Sequence, residues 1–274
     1  MKRRRDWAAI RGVVAKDWRA VSRSKAVTIP MVAVPVLLLV ILPLAVGLGA
    51  RAASGGGGAQ VAQFLQKVPA GLAKPILDRP EHERLLLLVN GYLLSPLFLI
   101  VPLMVASVLA ADAFAGEKER RTLEGLLHLP VADRDLFEAK VLAAWVPAVA
   151  VSWVGFIAYC AVSNAVGWSV MHRLFLPTKL WGVLVLWLAP AVATLGMAVM
   201  VRVSARVGTT QEANQLGGAV VLPLIFLTMG QATGLLLVTL PIAVGVGVVI
   251  WTIAIVLLRG GARRFSRDRL AAKV

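Results

Sequence analysis

Residues 85–111, LLLLVNGYLLSPLFLIVPLMVASVLAA, run for 27 positions without a single Asp, Glu, Lys or Arg. About 20 apolar residues of helix cross the roughly 30 Å of a bilayer's hydrocarbon, so this run reads as a membrane span. A block of different character follows at residues 114–140, FAGEKERRTLEGLLHLPVADRDLFEAK. Beyond it the chain turns apolar again at residues 141–166, VLAAWVPAVAVSWVGFIAYCAVSNAV. A charged, leucine-spaced connection held between two spans decides the fold class and poses the functional question.

The rest of the 274 residues agrees with that reading. The chain is 59% hydrophobic and 16% charged, with a mean hydropathy of +0.81, outside the range of ordinary soluble domains. Six helices are expected, at 26–50, 85–111, 141–165, 178–200, 216–234 and 236–258, the last two separated by little more than GQATG. Of the 29 Lys and Arg residues, 22 fall in 1–25, 112–140, 201–215 and the tail from Arg259, against 7 on the other side. That excess places both ends and the charged block in the cytoplasm. The expectation is an all-α polytopic protein of the cell inner (plasma) membrane. It has an amphipathic interfacial helix at 1–25, a transmembrane domain at 26–258 and a basic cytoplasmic tail at 259–274. The net charge of +15 does not point to nucleic acid, because the basic residues flank spans and no polar domain carries them. Cys160 lies inside a span, lacks a disulfide partner and reads as a small apolar residue. The first apolar stretch is too long, and its basic leader too extended, for a cleaved signal peptide.

Segment 51–84 is the main external loop. Its SGGGG is a linker, and AQVAQFLQKVPAGLAKPILDRPEHERL reads as short helices on the membrane face, broken at Pro69, Pro75 and Pro80. His82, between two glutamates, reads as a solvated loop residue. Every span holds proline (Pro30, Pro35, Pro43, Pro96, Pro102, Pro147, Pro190, Pro223, Pro241), and each frees a carbonyl that a neighbour or water must satisfy. Asp112 and Glu212 sit at span ends, and no ionisable residue marks a proton or ion relay near the midplane. The GxxxG of Gly230 and Gly234 falls at the expected turn. The sequence contains no GxxxxGK[ST], HExxH or GxSxG, and His82, His128 and His172 are scattered. A carrier with this sequence would have to take its energy from elsewhere, and an intramembrane enzyme would leave the charged block unexplained.

Within that block, Leu123, Leu126 and Leu127 share one helical face. Glu117 with Arg121 and Arg120 with Glu124 form i,i+4 pairs on the polar side. Pro130 ends the helix, and Asp133 is placed to cap the next one. Such a helix suits an interfacial position or a groove on a cytoplasmic partner. In residues 1–25, Trp7, Ile10, Val14, Trp18 and Val21 recur at helical spacing, with Lys16, Arg19 and Arg23 largely opposite. This face suits the headgroup boundary of an anionic membrane.

The stretch GEKERRTLEGLLHLPV, followed by DRDL and a lysine leading into the third span, resembles the segment between spans two and three of ABC-2-type transporter permeases. VRVSARVGTTQEANQLGGAVVLPLIF resembles that family's cytoplasmic segment before the fifth span, with its QEA-Q and LP. The resemblance implies that Gly116 through Leu129 is a coupling helix docking on a separate ATPase. Glu117, Glu119, Arg120, Arg121 and Glu124 would be its polar contacts, and Leu123, Leu126 and Leu127 its buried anchors. It also implies that the N-terminal helix touches the ATPase, that two ATPase subunits bind, and that a second permease copy or a related subunit completes the pathway. This chain itself would hold no cofactor, ATP and Mg being bound by the partner. Direction would be export, of a small cation, a hydrophobic drug or a peptide. The alternative within the same architecture is a membrane scaffold or maturation factor that assembles an extracytoplasmic protein on segment 51–84.

Overall fold

In lipid a spanning segment must satisfy its backbone polar groups internally, so long apolar runs fold as helices. The computed structural model describes residues 6–52, 57–66, 70–120, 132–232 and 238–264, and every element among them is helical. In chain order these are α1 (Trp7–Arg23), α2 (Val27–Gly49), α3 (Gly57–Gln66), α4 (Ala70–Leu77), α5 (Glu81–Glu119), α6 (Asp133–Met171), α7 (Lys179–Ser204), α8 (Thr210–Gln231) and α9 (Leu240–Ala262). Six of them, α2 and α5 to α9, are long and apolar enough to cross a membrane.

Burial separates these six into a core pair and a shell. The most apolar windows of α5 and α7 are 67% and 72% buried, against 17–28% for the other four. The shell helices expose large apolar side chains such as Ile29, Ile157 and Phe226. Such faces are costly in water and neutral against lipid tails. Close approach of α5 and α7 depends on Gly196, where a Cβ would lie 3.0 Å from the Leu103 carbonyl and 2.7 Å from its side chain. Around that seam Trp181, Phe98, Phe156 and Tyr159 pack with ring centroids 4.7–6.0 Å apart.

Several boundaries differ from those expected. Helices α5 and α6 are each 39 residues long and run well past the apolar windows 85–111 and 141–165. Their charged ends stay helical because side chains there find partners on neighbouring elements. Helix α8 begins at Thr210, six residues before the expected start, and α9 runs past 258. Asp133 is the first helical residue of α6 rather than its cap: Ala132 holds the cap position and offers no side-chain bond. Asp133 and Asp135 nonetheless place negative charge in the first turn, where the helix dipole favours it. Wide π turns interrupt α2 at Leu37–Ile41, α5 at Leu87–Leu93 and Asp112–Gly116, and α7 at Leu184–Leu188.

At the end of the bundle away from α1, α3 and α4 fold back on the start of α5. Val61, Leu65, Ala73 and Ile76 bury against Leu88, so this segment packs on protein as a small layer. Pro80 precedes α5 as expected, whereas Pro75 lies inside α4 and does not end it; an eight-residue helix loses only one bond there. Arg173, just past α6, pairs with buried Glu83, and the Asn164 side chain ties down the loop by bonding the Leu176 carbonyl at 2.8 Å and the Phe175 amide at 3.0 Å. His82 is exposed on the first turn of α5. Much of the SGGGG linker, Pro69, the turn at 233–237 with Gly234, and the tail from 265 lie outside the described residues.

Candidate functional site at the α5–α6 connection

The described part of the charged block ends at Arg120 and resumes at Ala132. Glu117, Glu119 and Arg120 are therefore placed, whereas Arg121, Leu123, Glu124, Leu126 and Leu127 lie outside the described residues. What is placed is the base from which the connection leaves the bundle, and nearly every charge in it has a partner.

The centre of that base is Lys140, 1% exposed on the second turn of α6. Its ammonium donates to the Ala113 carbonyl at 2.6 Å and to the Glu117 carboxylate, and lies 5.5 Å over the Phe114 ring. Glu117 also accepts from Lys16 of α1 at 2.9 Å, and Lys16 reaches Asp17 at 3.1 Å. Three elements thus share one charge cluster. Burial pushes the Lys16 ammonium down, but its hydrogen bond and charge pairing with Glu117, helped by Asp17, leave it above its ordinary value. Asp17 shifts in the opposite sense to a paired acid: desolvation raises its carboxyl despite nearby Lys140 and Lys16. One of its oxygens has no hydrogen-bond partner among the described residues.

A second set of contacts holds the end of α5 to the start of α8. Arg120 pairs with buried Asp112 at 2.6 Å, closing back across the Asp112–Gly116 π turn. Lys118 donates to the Val207 carbonyl at 2.7 Å. Glu119 accepts from the Thr210 amide at 2.9 Å and from its hydroxyl at 2.8 Å. Thr209 caps α8 through the Glu212 amide, while the Glu212 carboxylate accepts from the Gly208 amide at 3.0 Å; this is a capping box shifted by one residue, the carboxylate taking the amide before the cap rather than the cap's own. Gly116 makes room for this junction, since a Cβ there would stand 3.3 Å from the Thr210 hydroxyl and 3.0 Å from Asp112. Beside it lies an open cleft of about 550 Å³ lined by Glu119, Thr210, Gln211, Asn214 and Gln215.

Helix α1 completes the base, on a different face from the expected one. Ile10, Val13 and Asp17 form its buried stripe, and Ile10 and Val13 pack on Leu136 and Ala139 of α6 with Val14 at the edge. Of the expected line only Ile10 is buried. Val14 and Val21 are half-buried, and Trp7 and Trp18 are 53% and 45% exposed. The stripe is rotated because it takes in Asp17, which sits beside Lys16 and Lys140, their charges offsetting part of its desolvation. Glu117 likewise faces inward and spends its carboxylate on the two lysines, while Glu119 and Arg120 stand at the surface. Asp17 and Thr210 are members of the site that the sequence reading did not single out, while Lys16, Asp112 and Lys140 were noted there only as a polar-face residue, a span-end residue and the lysine leading into the third span. The available signal was Lys140, a lone lysine at the edge of an apolar run.

Taken together, the base fixes α1, α5, α6 and α8 to one another around the point where the connection leaves the bundle. A comparison with curated proteins finds no match. The family model described as ABC-2 family transporter protein matches residues 11–243, from the second turn of α1 into α9 and including the whole connection. The chain belongs to the ABC-2 family of transporter proteins, as a multi-pass membrane protein of the permease type.

Proposed function

We propose that the chain is the membrane subunit of an ATP-driven exporter, pairing with a second permease copy or a related one and coupled to two separate ATPase subunits. The observation that carries this reading is the braced base of the α5–α6 connection. A solvated loop needs no buried Lys140–Glu117 pair beneath it; a lever does, because a docked partner can move helices only through a rigid attachment. In this reading Gly116 through Leu129 is the coupling helix. Arg121, Leu123, Glu124, Leu126 and Leu127 contact the ATPase together with exposed Glu119 and Arg120. Glu117 serves the attachment instead, by holding Lys140 and Lys16. The cleft beside Glu119 and Thr210 extends the docking surface toward α8. Trp7 and Trp18 of α1 lie at the headgroup level, with both ends of the chain in the cytoplasm. ATP and Mg bind on the ATPase, and this chain supplies the pathway.

Affinity purification of the chain from its native membrane in mild detergent tests this. Co-elution of a protein with ATPase activity supports the transporter. A folded, dimeric permease that brings down an extracytoplasmic protein and no ATPase would replace it with the scaffold reading.

A further inference from the structure

Proline has no N–H, so each proline within a helix leaves one carbonyl of the preceding turn without its donor. In an α-helix that carbonyl lies four residues back, and in a π turn five. In α6, Pro147 orphans the Ala143 carbonyl, and the Trp18 indole of α1 donates to it at 3.1 Å. In α7 the Ala189 amide bonds Leu184, five residues back; the same register leaves Val185 without a donor at Pro190. The Trp153 indole of α6 donates to Val185 at 3.2 Å. In α5 the Leu94 amide bonds Val89, again five back, whereas the Phe98 amide bonds Leu94, four back; Pro96 falls at this change of register and withholds a donor from the neighbouring Gly91 and Tyr92 carbonyls, five and four residues back. The Trp181 indole of α7 donates to Gly91 at 3.1 Å. The carbonyl four residues before Pro96, on Tyr92, takes the Ser95 hydroxyl at 2.6 Å.

Five indoles donate to main-chain carbonyls among the described residues; two of them meet a carbonyl that the helix register leaves without its donor at a proline, and a third meets one of the two carbonyls at the register change before Pro96. The pairing has a physical reason. A helix carbonyl with its own donor is a poor target for a second one, whereas an orphaned carbonyl in an apolar surrounding is costly until something donates to it. An indole N–H, donor only and carried on a large apolar ring, meets that need without bringing an unmatched acceptor.

We propose that Trp18, Trp153 and Trp181 are positioning residues, each an N–H latch on a proline hinge. Together they tie α1 to α6, α6 to α7 and α7 to α5 in series. Each hinge can bend only as far as its indole bond allows, so the bend angle of one helix is set by the position of the next. This stands on helix geometry and is independent of what energises the protein.

The test is hydrogen exchange of the whole chain in detergent micelles. Trp18→Phe, Trp153→Phe and Trp181→Phe keep an aromatic ring and delete the donor. Pro147→Ala, Pro190→Ala and Pro96→Ala restore the helix's own N–H. Each Trp→Phe change should accelerate exchange of amides flanking its proline roughly five- to tenfold, as loss of one hydrogen bond implies. The same change in the matching Pro→Ala background should alter exchange by less than about twofold, because the carbonyl no longer needs the indole. Equal acceleration in both backgrounds would overturn the proposal in favour of ring packing, and so would no acceleration beside the native proline. Trp18 is half-exposed, so the Trp18–Pro147 arm is expected to fold and carries the test if the buried Trp181 arm does not.

Discussion

Replacing Lys140 with methionine is the most informative single perturbation of the base. Lys140 is 1% exposed and Glu117 7%, so the substitution leaves a buried carboxylate with Lys16 as its cationic partner among the described residues. Breaking a buried ion pair from one side costs about 3–5 kcal/mol. Here Glu117 keeps Lys16 at 2.9 Å, which argues for the lower end. Loss of the bond to the Ala113 carbonyl adds about 1 kcal/mol, and the new methionine's apolar contact offsets part of that. We expect Lys140→Met to destabilise the purified chain by about 3 kcal/mol in reversible denaturant unfolding in micelles. The double variant Lys140→Met/Glu117→Leu removes both charges and should recover most of the loss, since apolar replacement of a whole buried pair is near neutral. The double-mutant cycle should therefore return a coupling of about 2 kcal/mol or more. Additive effects, or a single-variant loss under about 0.5 kcal/mol, would refute the view that this pair braces the connection.

Asp17→Asn should be neutral to stabilising at pH 7. The folded-state carboxyl is raised, so the folded chain takes up the proton before the unfolded one, and stability rises as pH falls toward the ordinary value of 3.8. The variant should flatten that rise; a steeper acid dependence in its unfolding profile would contradict the assignment. Gly196→Val should cost about 1–3 kcal/mol or abolish folding, because its side chain meets the Leu103 backbone; a wild-type unfolding midpoint would show that α5 and α7 do not approach so closely. Glu83→Gln should loosen the loop after α6, read as faster amide exchange over 172–178, since Arg173 loses its buried partner; unchanged exchange would assign that loop's order to Asn164 alone.

The six spans were legible because an apolar run of the right length admits few alternatives in lipid. Their ends were not. Hydropathy stops at Asp112 and restarts at Val141, but Lys118, Glu119 and Lys140 keep the helices going by bonding to Val207, Thr210 and Glu117. Those partners are 23 to 91 residues away in sequence, and no local pattern reports them. Helix α1 shows the same limit. Periodicity grouped its tryptophans with its aliphatics, while the packed stripe runs through Ile10, Val13 and Asp17, because Lys16 and Lys140 make a buried aspartate tolerable. Prolines were visible as hinges, and what caps them depends on π register, which sequence spacing does not contain.

The central claim, that the α5–α6 connection is the docking lever for an ATPase, is tested most directly by Leu123→Asp/Leu127→Asp. Loss of two buried anchors at about 2 kcal/mol each predicts binding on the order of a thousandfold weaker, so the ATPase should vanish from the purified complex while the permease stays inserted and folded. Undiminished co-purification of the ATPase with the double variant would contradict the account.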